Sequence, residues 1–387
     1  MKKKALLIAP SFDEPGGGTC VAAWALQGLL DEFDVTLVAW KRPDLAVMNQ
    51  RFGTSVEVAD LPVVVVPAPL RLAVDAIPLR LALLRRCIIQ WVAARHMRDN
   101  HVDAVASAGN EMEVGRPMVQ YVHFPWAAYP RPDYDLRWWH GRLLVQLYRS
   151  VVIGLFGHSR EAVRKNLTLV NSAWTGRYYG EWYNGAAYRV VYPPAPVPAV
   201  ARPWAERRNG FVCLGRYAHE KRILEVIAIL EQVRARGFDV TLDICGQIDS
   251  RAYYRKVCAA ATAAGDWVRV HVDLPRADLI DLISGSRYGI HGMIGEHFGI
   301  AIAELVRLGC LCFANEDGGP SEILADQRLL FDTDQDAINK ICAVLADPDA
   351  QASLRSLVER RGAAFAPEAF MADFSAACKQ NALQFIS

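Results

Sequence analysis

Two series of short apolar runs that alternate with helical segments constrain the fold more than any other feature of this sequence. The first series begins at residue 5 with ALLIAP, and the second begins at residue 211 with FVCLG. Strands that alternate with helices form parallel sheets covered by helices on both faces. The stretch between the two series, residues 192–204, contains five prolines, which argue against a helix or a central strand. The sequence therefore predicts two domains joined by a proline-rich linker.

The predicted fold class is α/β, with two doubly wound Rossmann-like domains. The chain has 387 residues, which is more than one ordinary hydrophobic core holds. We expect an N-terminal domain at 1–192, the linker at 193–204, a C-terminal domain at 205–366 and a last helix at 367–387, which can pack back on the first domain. Such sheets bind ligands beyond the carboxyl ends of their strands, so we expect the two domains to face each other across a ligand-binding cleft.

The individual strands are predicted from short apolar runs that are bounded by turn residues. In the first domain these runs are residues 5–10, 34–40, 102–108, 118–123, 167–172 and 187–193. In the second domain they are residues 211–215, 240–246, 268–272, 288–292 and 311–315. Helices are predicted to begin near Thr19, Glu220, Ser250, Arg276 and Gly299.

Charge and cysteine content exclude several classes of function. The formal net charge is +1, so the whole chain has no field that would attract nucleic acid. The nine cysteines form no C-x-x-C pair, and the close pair Cys310 and Cys312 is interpreted as packed on one strand. A cytoplasmic protein with buried thiols fits this pattern. The apolar start of the chain leads directly into a glycine loop, so it is predicted to be a strand rather than a signal peptide.

A glycine cluster follows the first predicted strand and precedes a helix. Glycines at 16–18 let a ligand approach the backbone, and the helix N-terminus favours negative charge. The G-x-G-x-x-G fingerprint would need a further glycine where Val21 stands, so a nicotinamide or flavin cofactor is weakly supported. A plain tight turn remains the alternative for Gly17 and Gly18.

Two cations follow the first predicted strand of the second domain. Arg216 and Lys221 lie just after residues 211–215, at the carboxyl edge where ligands bind. A guanidinium fork and an ammonium point charge together suit a diphosphate. A solvated loop with ordinary surface cations is the alternative interpretation.

The stretch at 290–310, IHGMIGEHFGIAIAELVRLGC, places two glutamates in apolar surroundings. Glu296 lies in a glycine-flanked turn, and Glu304 lies within the helix that is predicted to begin near Gly299. Buried carboxylates need partners, and a carboxylate can accept hydrogen bonds from paired sugar hydroxyls. The alternatives are that Glu296 caps the helix and that Glu304 pairs with Arg307.

These motifs, taken in order, resemble one family of enzymes. The E-x7-E spacing of Glu296 and Glu304 resembles the signature of retaining glycosyltransferases of family 4, which have the GT-B fold. The segment from Gly215 to Lys221 is similar to that family's diphosphate-binding segment. GIHGMIGEHFGIAIAE, YVHFPW, VNSAWT, VVYPP and GGPSEIL resemble, more closely, the eukaryotic lipid-linked-oligosaccharide α-1,2-mannosyltransferases that use GDP-mannose. The resemblance spans about residues 5 to 325, whereas residues 60–100 and the last helix match nothing in it.

The resemblance implies a role for each matching residue of the second domain. Glu296 would hold hydroxyls of the donor sugar, and Glu304 would hold the ribose hydroxyls. Arg216 and Lys221 would neutralise the leaving diphosphate. Backbone N–H groups at the start of the helix would add hydrogen bonds to that diphosphate, and they belong to Gly299, Ile300 and Ala301.

In the first domain, the resemblance points to the glycine loop and to one histidine. Gly17 and Gly18 would let the donor and the acceptor meet against the first loop, on what the resemblance makes the acceptor side. His123 matches the family's histidine near the reaction centre. Without the motif, a packed histidine at a strand end would be the favoured interpretation of His123.

The implied function is transfer of a hexose with retention, from a nucleotide-diphosphate sugar to a carbohydrate or lipid-linked acceptor. Mannose from GDP-mannose is the expected donor. The alternatives are a UDP- or ADP-sugar donor, a nucleotide-sugar epimerase, or a non-catalytic sugar-nucleotide-binding subunit. No cofactor and no metal are expected, because the Asp-x-Asp patterns at 332–334, 334–336 and 347–349 lie in polar, helix-capping contexts. A further Asp-x-Asp lies at 133–135.

Two nearly apolar segments leave the relation to membranes open. Residues 69–98 are largely apolar apart from six arginines, which include Arg85 and Arg86, and the polar residues Asp75, Gln90 and His96. They can be a membrane-surface segment that meets a lipid-linked acceptor, or one buried helix whose arginines extend to solvent, which is slightly favoured. Residues 141–157 pose the same choice. The expected location is cytoplasmic, with peripheral contact at the inner face of a membrane as the open alternative.

Overall fold

The protein divides into two compact units, each built around one parallel sheet. The computed structural model describes residues 2–12, 16–57, 60–77, 81–126, 143–157, 159–199 and 202–383. The first unit is Met1–Pro194 with Pro367–Ser387, and the second is Ala195–Ala366. The division therefore falls inside the stretch predicted as a linker. Ala195 and Val197 are buried in the second unit, since apolar side chains pack there despite the prolines between them.

The sheet of the first unit has seven parallel strands in the order β3-β2-β1-β4-β5-β6-β7. The strands are β1 Lys3–Ile8, β2 Phe33–Ala39, β3 Val63–Val65, β4 Ala104–Ser107, β5 Val119–Val122, β6 Leu167–Val170 and β7 Arg189–Val190. Chain order reverses beside β1, which is the doubly wound arrangement. The helices are α1 Gly17–Glu32, α2 Leu45–Phe52, α3 Ala68–Asp75, α4 Ala82–Asp99, α5 Leu143–Phe156, α6 Arg160–Arg164 and α7 Ala173–Trp182.

The sheet of the second unit has six parallel strands in the order β10-β9-β8-β11-β12-β13. They are β8 Arg208–Leu214, β9 Thr241–Gly246, β10 Val268–Val272, β11 Ser286–His291, β12 Leu311–Asn315 and β13 Leu330–Phe331. The helices are α8 Ile223–Ala235, α9 Arg251–Ala264, α10 Arg276–Ser284, α11 Ile300–Arg307, α12 Pro320–Leu324, α13 Asp334–Ala346 and α14 Pro348–Gly362. The prediction of two doubly wound α/β domains is thus confirmed.

The last helix, α15 Pro367–Leu383, belongs to the first unit rather than to the second unit that precedes it in sequence. It packs on α1, where the Ser375 hydroxyl donates a hydrogen bond of 2.9 Å to the carbonyl of Gly28. Its Asn381 Oδ1 accepts the N–H of Val105 on β4 at 3.2 Å. Phe370, Phe374 and Cys378 are fully buried, which explains why an apolar helix follows the second domain in sequence.

Two predicted helix starts and two short strands differ from the sequence prediction. Helix α1 begins at Gly17 rather than near Thr19, and no side chain caps it. Helix α8 begins at Ile223, because residues His219–Lys221 form a separate 3-10 turn and Arg222 then adopts a left-handed conformation with φ of 49°. The sequence predictions also lacked β3 and β13, whose three and two residues are too short to give an alternating pattern.

The segment 69–98 is not one helix. It contains α3 and α4, and the break between them includes residues 78–80, which lie outside the described ranges. The middle of α4 is buried from Cys87 to Ala93 except for Trp91, and Arg85 forms an ion pair of 2.8 Å with Asp75 at the end of α3. None of the helices that the structure describes is both long and apolar enough to cross a bilayer.

The cysteines are buried or partly buried, and none of them forms a disulfide bond. All nine fall within the described ranges and are free thiols. Cys310 and Cys312 are both fully buried, as interpreted from the sequence. Burial raises the pKa of Cys310 to about 12, although the charge of Arg207 acts in the opposite direction. Such a thiol remains protonated and unreactive at neutral pH.

Candidate active site

The candidate site of the second unit lies at the carboxyl edge of its sheet. β8 ends at Leu214, and β11, its neighbour in the sheet, ends at His291. The turn after β8 carries Lys221, and the turn after β11 carries Glu296. Because parallel neighbours end at the same edge, two residues that are 75 positions apart in sequence meet there.

Glu296 is held by two side chains that contact the same oxygen. Its Oε2 atom accepts a hydrogen bond of 2.6 Å from Lys221 Nζ and lies 3.0 Å from His291 Nε2. The Lys221 and Glu296 side chains are only 16% and 15% exposed, so this ion pair is weakly screened by solvent. Lys221 Nζ also lies 3.2 Å from the sulfur of Met293.

The electrostatics of this cluster keep Glu296 ionised. Burial opposes ionisation of the carboxyl group, but the charge of Lys221 and the hydrogen bond with His291 outweigh it and hold the pKa of Glu296 well below its ordinary value. Burial lowers the pKa of His291, and Lys221 acts in the same direction. At neutral pH Glu296 is therefore a carboxylate and His291 is a neutral imidazole.

Close backbone approaches shape the turn that carries Glu296. Gly295 donates its N–H to the carbonyl of Asp317 at 2.9 Å, and Gly319 donates to the carbonyl of Glu296 at 2.8 Å. A side chain at Gly318, whose φ is 129°, would collide with the backbone of Glu296. The glycine pair 318–319 is therefore needed for the turn to pack against the loop after β12.

The turn ends in the N-terminus of α11. Gly299 is the residue before the helix and has φ of 102°, a conformation that glycine adopts without strain. The first backbone bond of the helix joins the N–H of Ala303 to the carbonyl of Gly299 at 3.0 Å. The N–H groups of Ile300 and Ala301 therefore have no partner within the helix and favour an anion.

Glu304 lies one turn further along α11 and pairs with Arg276, not with Arg307. Its Oε1 accepts a hydrogen bond of 3.2 Å from Arg276, and its side chain is 14% exposed. Burial raises the pKa of Glu304, and Arg276 only partly offsets this effect. Arg307 instead donates to the backbone carbonyl of Val197 at 3.0 Å. Both structural alternatives for the two glutamates are wrong, since no side chain caps α11 either.

Arg216 lies at the same edge but is not in contact with the Lys221 cluster. It is bound by two carboxylates, at 3.2 Å from Glu220 and 3.1 Å from Asp249. Its side chain is 43% exposed, so these pairs are weak and can be exchanged for a more highly charged anion. Gly246 permits this edge to form, because a side chain there would overlap the carbonyl of Gly215.

In the first unit, the structure brings the glycine loop and His123 together. The first backbone bond of α1 joins the N–H of Cys20 to the carbonyl of Gly16 at 3.0 Å, which leaves the N–H groups of Gly17 and Gly18 without a helical partner. A side-chain carbon at Gly18 would lie 3.5 Å from His123 Nε2. The missing side chain thus keeps the space beside the imidazole open.

The backbone around His123 is fixed by two asparagines. Asn110 has φ of 73°, and its Oδ1 accepts the N–H of His123 at 2.6 Å. Asn171 donates to the carbonyl of His123 at 2.9 Å. The imidazole Nε2 lies 3.0 Å from the carbonyl of Ala108, which favours the tautomer with its proton on Nε2.

The acidic patterns weighed as metal ligands are parts of helix caps. Asp334 and Asp336 lie in the first turn of α13, and Asp347 accepts the N–H groups of residues 349 and 350 at the start of α14. The pair at 133–135 lies outside the described residues. Throughout the described ranges, no group of three or more His, Cys, Asp and Glu side chains is placed to hold a metal ion.

Two site residues were not predicted from the sequence. His291 is the last residue of an apolar strand, and a polar residue ending such a run is a signal that could have been used. Arg276 was noted only as the beginning of a helix. Its pairing with Glu304 spans 28 positions and depends on how α10 and α11 pack.

Comparison with known proteins supports the sequence interpretation. Residues 200–360 match the family model "Glycosyl transferases group 1". The chain is similar to GDP-Man:Man(3)GlcNAc(2)-PP-Dol alpha-1,2-mannosyltransferases, with 27% identity to the Dictyostelium discoideum protein over 46% of this chain and 40% of that one. The Xenopus tropicalis protein is 24% identical over 61% of this chain and 51% of that one. The chain thus spans about half or less of these relatives' own length.

Solved structures share the fold over the whole chain. A crystal structure of Anabaena HepE in complex with UDP and glucose has a TM-score of 0.66 and 15% identity, and covers 98% of this chain and 100% of that chain. Sucrose-phosphate synthase from Thermosynechococcus elongatus has a TM-score of 0.68 and 16% identity, with 100% of both chains covered. Residues 200–360 therefore form a glycosyl transferases group 1 domain, in a chain with the two-sheet GT-B fold.

Proposed function

We propose that this protein is a retaining, metal-independent glycosyltransferase that moves mannose from GDP-mannose to a carbohydrate or lipid-linked acceptor. The observation that carries the proposal is the Lys221–Glu296–His291 cluster directly before the N-terminus of α11. The relatives named GDP-Man:Man(3)GlcNAc(2)-PP-Dol alpha-1,2-mannosyltransferase support the choice of donor and of acceptor class.

The chemistry that the site can perform follows from its charges. Breaking a sugar–phosphate bond leaves negative charge on the diphosphate and positive character on the anomeric carbon. The Lys221 ammonium, the Arg216 guanidinium and the first-turn N–H groups of α11 are fixed positive groups that stabilise this departing anion. They would perform the work that a divalent cation performs in other transferases.

The two glutamates are assigned different parts of the donor. Glu296 lies in the turn before the helix and is ionised, so it suits the hydroxyls of the hexose next to the diphosphate. Glu304 lies a turn beyond the phosphate-facing N–H groups, which suits the ribose hydroxyls. With both carboxylates engaged in binding, front-face attack by the acceptor is the proposed route to retention.

A donor panel tests the proposal. Saturating GDP-mannose should stabilise the protein by about 2.7 kcal/mol at a hundredfold its Kd, and UDP- and ADP-sugars should do so less. Mannose transfer should continue in excess EDTA, and NMR of the product should show the α-anomer. Stabilisation by UDP-glucose alone would replace the proposed donor. Loss of transfer in EDTA that Mn²⁺ restores would contradict the metal-free mechanism.

Peripheral contact with a lipid surface is the second part of the proposal. Helix α5 leaves four apolar side chains uncovered at intervals of four residues, namely Leu143, Leu147, Val151 and Leu155, which are 81%, 60%, 50% and 75% exposed. Its other face contacts α4, where the hydroxyl of Tyr148 accepts the N–H of Leu84 at 3.1 Å. The helix has one arginine and no acidic residue, which suits an anionic membrane surface.

We expect the protein to co-sediment with phosphatidylglycerol vesicles at low salt. The combined change of Leu143, Leu147 and Leu155 to serine should weaken this binding at least about tenfold, since one buried leucine stabilises association by about 1.5–3 kcal/mol. Val47→Ser, at an apolar residue of α2 that is 42% exposed, is the matched control and should bind as the wild type does. Wild-type protein that stays in the supernatant at low salt would refute the membrane contact.

A further inference from the structure

His291 is the most deeply buried member of the cluster around Glu296. Its side chain is 3% exposed, and it is fixed to the last residue of β11, between the neighbouring strands β8 and β12. A polar ring in such a position needs a hydrogen-bond partner, and its Nε2 lies 3.0 Å from Glu296 Oε2. The proposed function assigns a task to Lys221 and to Glu296, but none to this histidine.

The ionised state of Glu296 determines the direction of that hydrogen bond. A carboxylate has no proton to donate, so Nε2 carries the proton and donates it to Oε2. Lys221 Nζ donates to the same oxygen at 2.6 Å. In the described part of the chain, no protein group donates to the other oxygen, Oε1. One oxygen is therefore saturated by the protein, and the other remains available to a ligand.

Lysine alone would not orient this carboxylate. An ammonium on a flexible four-carbon chain is a point charge that attracts either oxygen equally. A planar imidazole on a strand has only two rotatable bonds, so its N–H fixes which oxygen it binds. The His291 hydrogen bond thus distinguishes Oε2 from Oε1, which the ion pair cannot do.

We propose that His291 is a positioning residue, which binds Glu296 Oε2 and thereby presents Oε1 to the hydroxyls of the donor hexose. This inference rests on the proposed function for its substrate. His291 touches no reacting atom and acts only through Glu296. Because the ring is neutral, it orients the carboxylate without cancelling its charge.

Replacement of the histidine by residues of different reach tests the proposal. The amide of His291→Gln can occupy the place of Nε2 and donate to Oε2, whereas His291→Asn is too short and His291→Phe has no donor. We expect kcat to fall about tenfold in His291→Phe and in His291→Asn, with the donor KM changed less than twofold. His291→Gln should restore kcat to within about threefold of wild type. A change in the donor KM with unchanged kcat would overturn the proposal. So would an equal loss of kcat in all three variants.

A matched histidine provides the control for general effects on the sheet. His271, on β10, lies 2.8 Å from the buried Asp243 and is outside the proposed site. His271→Phe should leave kcat unchanged even if the protein loses stability. In the Glu296→Gln background, His291→Phe should lower kcat by less than about twofold, because the residue through which it acts is already altered. Additive losses would show that His291 acts otherwise and would overturn the proposal.

A titration without substrate separates this inference from the proposed function. The groups that face His291 are Lys221, Glu296 and the carbonyl of Leu214. The hydrogen bond from His291 helps to lower the pKa of Glu296, so its loss must raise that pKa. In a ¹³C-carboxyl NMR titration, with the Glu296 signal assigned by its absence in Glu296→Gln, the midpoint should rise in His291→Phe and return in His291→Gln.

The outcomes then distinguish the two ideas. If the Glu296 midpoint rises in His291→Phe but the wild-type protein transfers no sugar, the proposed function is refuted and the contact between His291 and Glu296 is supported. In an active protein, the acid limb of the kcat–pH profile should move upward by the same amount, because ionised Glu296 accepts stronger hydrogen bonds from the donor hydroxyls than the protonated form does. An unchanged midpoint in His291→Phe would overturn the positioning role.

Discussion

Replacing Lys221 with alanine is expected to lower the rate of sugar transfer by about 10²–10³-fold, the usual loss when a preorganised charge-stabilising group is removed. The ammonium is mostly buried and lies at the carboxyl edge where a diphosphate would bind, so solvent cannot replace it. The same change removes the main partner of Glu296, whose carboxyl group would then have a higher pKa. Steady-state kinetics with the donor at several pH values would measure both effects.

The ion pair of Lys340 with Asp336 provides the matched control for Lys221→Ala. It has a distance of 2.8 Å and lies in the same unit on α13, away from the proposed site. Lys340→Ala should keep wild-type turnover. Arg216→Ala should also lose turnover, because the weak pairs of Arg216 with Glu220 and Asp249 can be exchanged for a diphosphate. Wild-type rates in folded Lys221→Ala would refute the diphosphate assignment.

The loss of stability in Lys221→Ala relative to wild type should depend on pH, and it should be larger near pH 7 than in acid. The pKa of Glu296 in the folded protein lies below its unfolded value, so the carboxylate contributes stability above the unfolded pKa. That contribution is lost as the pH falls through the folded pKa. The variant should therefore be less stable than wild type near pH 7, and the difference in thermal midpoint should shrink in acid.

Glu296→Gln is expected to lower kcat by about a hundredfold while changing the donor KM little, because its hydrogen bonds position the hexose during departure of the diphosphate. Glu304→Gln is expected to raise the donor KM about tenfold with little change in kcat, because ribose contacts hold the ground state and the transition state equally. The buried Glu304 is paired with Arg276 at 3.2 Å. Burial nevertheless raises the pKa of Glu304, so its charge is less well compensated than that of Glu296.

Each glutamate serves as the control for the other. Both substitutions conserve side-chain size, so thermal midpoints near that of the wild type would show that neither effect comes from misfolding. The reverse pattern, with KM changed in Glu296→Gln and kcat in Glu304→Gln, would exchange the two roles. If neither variant differed from wild type, the stretch at 290–310 would be a packing element and the transferase proposal would fail.

Local patterns were sufficient for the fold because each strand is a short apolar run with its own turn residues. The runs at residues 34–40 and 240–246 became β2 and β9, and the helix predicted near Arg276 begins at that residue. Predicted helix boundaries were wrong where the backbone conformation depends on a residue that is distant in sequence. Arg222 interrupts the helix predicted near Glu220 with a left-handed conformation, and its guanidinium is bound 3.0 Å from Asp334, which is 112 positions away.

The sequence by itself determined the fold class and the family of the second domain, and it predicted which two glutamates and two cations form the candidate site, because these properties reside in short contiguous motifs. Only the tertiary structure decided which of these groups are partners. β11 lies beside β8 in the sheet, so Glu296 meets Lys221 and His291 rather than capping α11. Glu304 likewise meets Arg276 rather than Arg307. The order of strands in a parallel sheet is set by how the whole core packs, and no local spacing in the sequence encodes it.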